Sequence, residues 1–210
     1  TNGLEPFVSC STSGTLFLVA EGTETPMIPR VGLRMQLSEI LNDLTYYGRG
    51  PEENYRDRRT SQFIGEYTTP IKDLYEPYIR PQENEHRTDI YWCALTTKQK
   101  AGLLFIADRT FELNASNYLL GSLDSGETID NGAPRTNETN HRHLTDPQPV
   151  KQVDMFIDYR MMGVGGDNSW GAIAHEPYLI RPGVENAIEY GFSIVPFDKK
   201  ADYKNLIYQY

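Results

Sequence analysis

Hydrophobic and polar residues alternate along three stretches of the chain, with the period of two that is typical of β-strands. These stretches are residues 31–37, 153–159 and 188–194, and each places most of its large apolar side chains on one face of an extended backbone. The pattern predicts strands that are buried on one face. Shorter β-rich runs predict further strands at residues 16–20, 44–47, 62–67, 89–95 and 103–107.

Turn signals rich in glycine, proline, asparagine and arginine separate these runs, at residues 48–51, 69–70, 80–81, 131–132, 146–147 and 181–183. Helical periodicity is nearly absent, and a short helical turn fits only at residues 38–43 or 71–75. Many short strands with regular turns predict an antiparallel all-β sandwich. Because there is no repeat or linker, residues 1–210 are expected to form one domain, with the polar stretch 123–149 as a long surface loop.

Composition supports a globular chain and excludes several classes of partner. Of the 210 residues, 39% are hydrophobic, which is enough to build a sizeable core. The 20 Lys and Arg against 29 Asp and Glu give a net charge of −9, which disfavours binding to nucleic acids or anionic membranes. The longest apolar run, residues 101–107, is far shorter than the roughly 18 residues of a membrane-spanning helix.

The chain starts at Thr1 and reaches a β pattern almost at once, which leaves an unpaired sheet edge. We therefore expect a processed chain, or a piece that lacks the first strands of a larger domain. Cys10 and Cys93 are too few for a disulfide framework, and two separate buried thiols are favoured over a single bridge. The compartment stays open between cytoplasm and periplasm.

Residues 47–58 combine a Gly-Pro turn with a cluster of Arg, Asp and Glu. Glu52, Glu53 and Asp57 are candidates for the carboxylate pair that glycosidases use. The alternative is a tight turn with a salt-bridged polar rim. Adjacent residues of an extended chain point to opposite faces, so Glu52 and Glu53 favour the rim.

Two further polar segments contain histidine. In residues 81–87, Glu83, His86 and Arg87 are candidates for binding a polar ligand, or Arg87 is a partly buried cation that pairs with a carboxylate. His141 and His143 share one face of an extended strand, as two metal ligands would, but a third ligand is not apparent. Histidines of the surface or core are the simpler interpretation.

The segment 161–171 is rich in glycine and ends in a tryptophan and a further glycine. It lacks the Lys-Ser/Thr and the helix of a phosphate-binding loop. Glycines allow unusual backbone conformations, so the loop can hold Trp170 exposed beside Asp167 and Asn168. A flat indole next to polar side chains suits a pyranose, whose C–H face stacks while its hydroxyls form hydrogen bonds. The alternative is that Trp170 belongs to the core, as Trp92 does in its apolar strand.

Four segments in this order resemble the C-terminal domain, or small-chain domain, of large LacZ-type β-galactosidases, which are family-two glycoside hydrolases. The segments are residues 29–36, residues 47–58, residues 81–87 with Trp92, and residues 162–170. The resemblance extends from about residue 8 to residue 197, and four ordered blocks of this length make it specific. It departs from the family at Glu85, where many relatives have glycine, and at Met161.

The resemblance implies an antiparallel β supersandwich that is galactose mutarotase-like, and a chain that completes an active site built elsewhere. The two catalytic glutamates and the Mg²⁺ ligands of the family lie on other domains, so neither a catalytic residue nor a metal site is expected here. Trp170 corresponds to the family tryptophan that stacks on the aglycone sugar, and Gly163, Gly165 and Gly166 shape its loop. The implied partners are the remaining β-galactosidase domains, a galactoside such as lactose, and further copies in a homo-oligomer.

Two other functions stay open from the residues alone. A free-standing aldose epimerase on the related fold needs a histidine and a carboxylate in one cleft, for which His141 or His143 with Glu83 or Asp167 are the candidates. An autonomous carbohydrate-binding module needs only the aromatic and polar side chains around Trp170.

Overall fold

Antiparallel strands make up nearly all the regular structure of a computed structural model, which describes residues 10–16, 27–79, 81–123, 147–168, 170–181 and 188–209. The strands are β1 (Cys10–Leu16), β2 (Arg30–Ser38), β3 (Asp43–Gly50), β4 (Phe63–Pro70), β5 (Arg87–Thr96), β6 (Gly102–Ser116), β7 (Gln152–Met161) and β8 (Ile188–Phe197). Short 3₁₀ helices span Ile71–Asp73, Leu120–Ser122 and Glu176–Tyr178, and one α-helix, α1, spans Tyr203–Leu206. The predicted antiparallel all-β fold is confirmed.

The long strand β6 joins two branches of the sheet, one formed by β8 and β1 and the other by β7 and β2. The strand order is β1-β8-β6-β5-β3-β4, and β7 pairs with both β6 and β2. The first half of β6 pairs with β8, from Gly102 to Ala107, while its second half pairs with β7, from Glu112 to Ser116. Because β5 pairs along both halves, it holds the two branches together.

The main hydrophobic core takes side chains from both branches, which accounts for the sandwich. Fully buried members include Tyr46 from β3, Phe105 and Phe111 from β6, and Met155 and Ile157 from β7. A smaller core lies on the opposite face of β5, β6 and β8, beneath the segment that contains α1. Trp92 belongs to this second core, as predicted, and Cys93 of the main core is a free buried thiol.

Strand β7 differs from its predicted one-sided burial. Residues Val153 to Asp158 are all buried, so the polar side chains of Asp154 and Asp158 lie inside the fold. Arginines of the neighbouring strand β2 accompany them: Arg34 Nε lies 2.8 Å from Asp154 Oδ1, and Arg30 Nε lies 3.0 Å from Asp158 Oδ2. Buried carboxylates need such cationic partners, and the alternation pattern alone could not distinguish this case from an exposed face.

Other predicted elements had mixed outcomes. The 103–107 run continues as a strand to Ser116, and residues 71–73 form the expected helical turn. In the predicted turn 38–43, Ser38 and Asp43 belong to β2 and β3, and residues 39–42 form only the turn between these strands. Residues 17–26 and 124–146, which include His141, His143 and most of the predicted loop, lie outside the described residues. Among the described helices, none combines the length and apolar character that crossing a membrane requires.

Candidate functional site

The glycine-rich loop begins where β7 ends and carries Trp170 at the surface. The backbone N–H of Met162 donates to the Pro29 carbonyl at 2.9 Å, and that of Gly163 donates to the Tyr178 carbonyl at 2.8 Å. These bonds fix the start of the loop against the body of the sheet. The Trp170 side chain is 92% exposed, so it is not a core residue.

The carboxylate of Asp57, from the turn region between β3 and β4, holds the middle of this loop. Asp57 Oδ2 accepts a hydrogen bond from the Gly165 N–H at 2.7 Å, and Asp57 Oδ1 accepts one from the Val164 N–H at 3.2 Å. Two of the segments singled out in the sequence therefore meet, although 107 and 108 residues separate the bonded positions. Asp57 serves as an anchor for backbone groups rather than as half of a catalytic pair.

Two loop glycines are required by close approach. A Cβ atom on Gly163 would lie 2.6 Å from Asp57 Oδ2, and one on Gly166 would lie 2.2 Å from the carbonyl oxygen of Ala172. Real Cβ atoms do not tolerate such distances, so a side chain at either position would displace the loop. At Gly165 the corresponding distance to Asp57 Oδ2 is 3.2 Å, which is tight but less severe.

The polar residues beside Trp170 are exposed and bonded within the loop. Asn168 Oδ1 accepts a hydrogen bond from the Trp170 N–H at 2.8 Å, and His175 Nε2 lies 2.8 Å from Asp167 Oδ1. The Asn168 amide nitrogen and the second Asp167 oxygen make no hydrogen bond to the described part of the chain. The sequence interpretation missed His175, whose separation of eight residues from Asp167 carries no recognisable motif.

The carboxylates of residues 47–58 do not form a glycosidase pair. Glu52 is exposed, whereas Glu53 is buried in a hydrogen-bond network. The Glu53 oxygens accept bonds from Arg58 Nη2 at 2.6 Å, the Glu85 N–H at 2.8 Å, the Tyr55 hydroxyl at 3.2 Å and the Tyr78 hydroxyl. These contacts fit the salt-bridged rim.

Residues 84–87 pack into the interior, whereas Gln82 is exposed and Glu83 is partly exposed. His86 is fully buried, with Nδ1 2.8 Å from Asn114 Oδ1 and Nε2 3.1 Å from Glu112 Oε2. Arg87 is a buried cation, as the second alternative proposed, but no carboxylate among the described residues forms an ion pair with it. Its guanidinium donates to the carbonyl oxygens of Glu85 and Pro51 and to the Tyr46 hydroxyl. Carbonyl and hydroxyl dipoles thus replace an anion around this cation.

Glu85 occupies its non-glycine position under unusual conditions. Its φ angle is 63°, in the left-handed region that favours glycine and that an L side chain rarely adopts. The side chain is 1% exposed, and neither carboxylate oxygen has a hydrogen bond of normal geometry. Burial raises the pKa of Glu85 to about 8, against the opposing influence of the Ser116 hydroxyl and the Arg87 guanidinium.

Glu112 links this buried polar cluster to the loop. One of its oxygens accepts a hydrogen bond from the Met161 N–H at 2.6 Å, immediately before the loop, and the other accepts from Arg56 Nη1 at 2.9 Å. Arg56 is the neighbour of Asp57 in the chain. The described residues contain no group of three or more His, Cys, Asp and Glu side chains placed to hold a metal ion.

Comparison with known proteins gives a consistent match. The model of the family described as beta galactosidase small chain matches residues 8–194. The beta-galactosidase of Priestia megaterium is 33% identical over 162 residues, 77% of this chain and 14% of that protein. The beta-galactosidase of Vibrio cholerae is 32% identical over 158 residues, 75% of this chain and 13% of that protein, and that of Leuconostoc mesenteroides is 31% identical over 155 residues, 74% of this chain and 13% of that protein. The chain spans less than a sixth of the length of these relatives.

Proposed function

Since the chain belongs to the β-galactosidase small-chain family, we propose that it is the C-terminal region of a β-galactosidase that hydrolyses terminal β-D-galactosides such as lactose. In this proposal the chain supplies a binding wall and the catalytic glutamates lie on a separate barrel domain. Mg²⁺ is likewise expected on another domain. The remaining domains of the same polypeptide are its main partners, and the whole enzyme is expected to be a homo-oligomer.

The observation that carries the proposal is the exposure of Trp170. A tryptophan that is 92% exposed has an apolar surface that neighbouring side chains of its own domain leave open. The loop beneath it is fixed by Asp57 and by closely packed glycines, so the ring is presented from an ordered base. Such a ring can stack on the C–H face of the aglycone sugar, while Asp167 and Asn168 supply hydrogen-bonding groups for its hydroxyls.

This role changes affinity and acceptor selection rather than bond cleavage. A retaining glycosidase needs two carboxylates about 5–5.5 Å apart around the scissile bond. Glu53, which is buried among hydrogen-bond donors, and Asp57, which holds the loop backbone, are both committed to structure. Stacking on one aromatic ring contributes about 0.5–1.5 kcal/mol beyond burial, which corresponds to a change in binding of up to about tenfold.

The test is Trp170→Ala in the full-length β-galactosidase that contains this region. We expect weaker binding of glucose as an acceptor, less transglycosylation, and up to about a tenfold loss in kcat/KM for lactose. Tyr208→Ala is the matched control, because Tyr208 is 88% exposed near the end of the described chain and lies outside the loop. If both variants hydrolyse lactose and transfer galactose to glucose like the parent, the assignment of Trp170 is wrong.

Two kinds of measurement on the isolated chain separate the other functions. It is expected not to hydrolyse nitrophenyl galactoside and not to accelerate the mutarotation of fresh galactose followed by polarimetry. Calorimetric titration with galactose and lactose is expected to give millimolar binding or none, because half of the sugar site is on another domain. Clear epimerase activity or tight binding would support an aldose epimerase or an autonomous carbohydrate-binding module instead.

A further inference from the structure

We infer that Asp57 is a positioning residue that sets the location of Trp170 and thereby the selection of the aglycone or acceptor sugar. The inference rests on the proposed function, because it assigns a role to the support of the same aromatic ring. Asp57 does not need to contact the sugar. Its carboxylate acts through the two backbone N–H groups that it binds in the loop.

The turn that carries Asp57 is itself firmly attached to the interior. Tyr55 and Arg58 bracket it with a pair of backbone hydrogen bonds of 3.1 and 2.7 Å. Tyr55 is 1% exposed, and its ring stacks on that of His86 with centroids 5.3 Å apart. Arg56 is tied to the buried carboxylate of Glu112 at 2.9 Å. The Asp57 backbone is thus flanked on both sides by residues with buried partners.

The loop, by contrast, has few attachments of its own. Val164, Asp167, Asn168 and Trp170 are all exposed, so apolar packing contributes little to holding the segment. The bonds from Val164 and Gly165 to Asp57 have a charged acceptor, which makes them stronger than bonds between neutral groups. The space between loop and carboxylate is also filled, since Gly163 has no room for a Cβ beside Asp57 Oδ2. Removing the Asp57 carboxylate therefore removes two hydrogen bonds to the loop. It also removes the surface against which the loop packs.

The first measurement reads the loop directly. In the full-length enzyme, site-resolved hydrogen exchange should show protected amides at Val164 and Gly165, because both donate to Asp57. We expect Asp57→Ala to speed exchange at these two amides by about tenfold or more, and Asp57→Asn, which keeps one acceptor oxygen, to have a smaller effect. Asp73→Ala is the control, because Asp73 is an exposed carboxylate in the 3₁₀ helix after β4. Unchanged exchange in Asp57→Ala would overturn the inference without touching the proposed role of Trp170.

The second measurement asks whether Asp57 acts through Trp170. Asp57→Ala is expected to weaken acceptor binding and transglycosylation about three- to tenfold, with Asp57→Asn in between and hydrolysis of an activated aryl galactoside nearly unchanged. In the double variant Asp57→Ala/Trp170→Ala, the loss should equal that of Trp170→Ala alone, because a misplaced ring and an absent ring are equivalent. Additive losses would show that Asp57 acts by another route. If Trp170→Ala has no effect while exchange at Gly165 still responds, the proposed function fails and Asp57 remains a loop anchor only.

Discussion

His86 and Glu112 form an ion pair inside the fold, with Nε2 and Oε2 3.1 Å apart and side chains that are 0% and 4% exposed. Burial alone lowers the pKa of His86, but the hydrogen bond and charge of Glu112 outweigh it and hold that pKa above its usual value. Burial raises the pKa of Glu112, but His86, the Met161 N–H and Arg56 together bring it below its usual value. Each of these shifts favours the charged form of its side chain.

Glu112→Gln is expected to destabilise the fold by about 3 kcal/mol, because it leaves a buried imidazole without its anionic partner. Because folding raises the pKa of His86, the contribution of His86 to stability is fully present below its pKa in the unfolded chain. This contribution is lost as pH rises through its pKa in the folded protein. Because folding lowers the pKa of Glu112, the contribution of Glu112 to stability is present above its pKa in the unfolded chain. This contribution is lost as pH falls through its pKa in the folded protein.

Urea unfolding at pH values from below 4.5 to above 6.5, the ordinary pKa values of glutamate and histidine, measures these contributions to stability. Without the Glu112 carboxylate, only the Asn114 hydrogen bond among the named contacts still opposes burial, so the pKa of His86 falls and the loss of stability from His86 at higher pH should disappear. Glu66→Gln is the control, since Glu66 binds Lys204 at the surface and little change is expected. Equal unfolding midpoints for the Glu112→Gln variant and the wild-type protein would refute a stabilising role of the buried pair.

Glu85→Gln is expected to flatten part of the dependence of stability on pH. Because the folded pKa of Glu85 is about 8 and its usual value is near 4.5, the folded state binds a proton that the unfolded state releases between these values. Stability should therefore fall as pH rises from about 4.5 to 8, by an amount on the order of a few kcal/mol.

Burial also raises the pKa of Asp158, to about 7, so Asp158 adds to the pH dependence of stability. Because both proteins contain Asp158, the difference between wild type and Glu85→Gln reports on Glu85. Thermal or urea unfolding at several pH values provides the data. Glu39→Gln, which removes an exposed carboxylate, should leave the slope unchanged. A Glu85→Gln slope equal to that of wild type would mean that the Glu85 carboxyl group is solvated in solution.

Gly166→Ala is expected to displace the loop and, if Trp170 has the proposed role, to weaken acceptor binding by the full-length enzyme several fold, with a modest loss of stability. The added Cβ would lie 2.2 Å from the Ala172 carbonyl oxygen, which is backbone and cannot rotate away. Gly121→Ala is the matched control, because a Cβ there meets no atom within 4 Å. Lactose kinetics and acceptor inhibition measure the difference. If the two alanine variants behave alike, the loop is not shaped by close packing at Gly166.

The sequence pattern predicted the strands where one rule dominates. Residues 31–37 and 188–194 alternate with period two, and both lie within strands of the fold. The pattern was wrong about one-sided burial at β7, because a carboxylate that faces solvent and one that pairs with an arginine of the next strand look the same in a sequence. The sequence pattern also predicted only the first part of β6, because residues 108–110 are polar and exposed in the middle of a continuous strand.

The sequence predicted the residue types of the candidate site, but not the hydrogen bonds between them. The glycine spacing and the tryptophan marked the loop from the chain alone. The link from Asp57 to Gly165 could not be predicted, because a hydrogen bond between a side chain and a backbone N–H 108 residues away leaves no local pattern. The bond between Asp167 and His175 is similarly invisible, as it depends on how the loop folds back.

Strand β6 has different neighbours at its two ends, and this constrains how the sheet can misalign. Its first half faces β8 and its second half faces β7, while β5 runs beside both. A slip of one residue would turn every side chain of β6 to the wrong side in both branches at once. An alignment error would therefore disrupt packing in both branches at once, which disfavours alternative pairings of the strands.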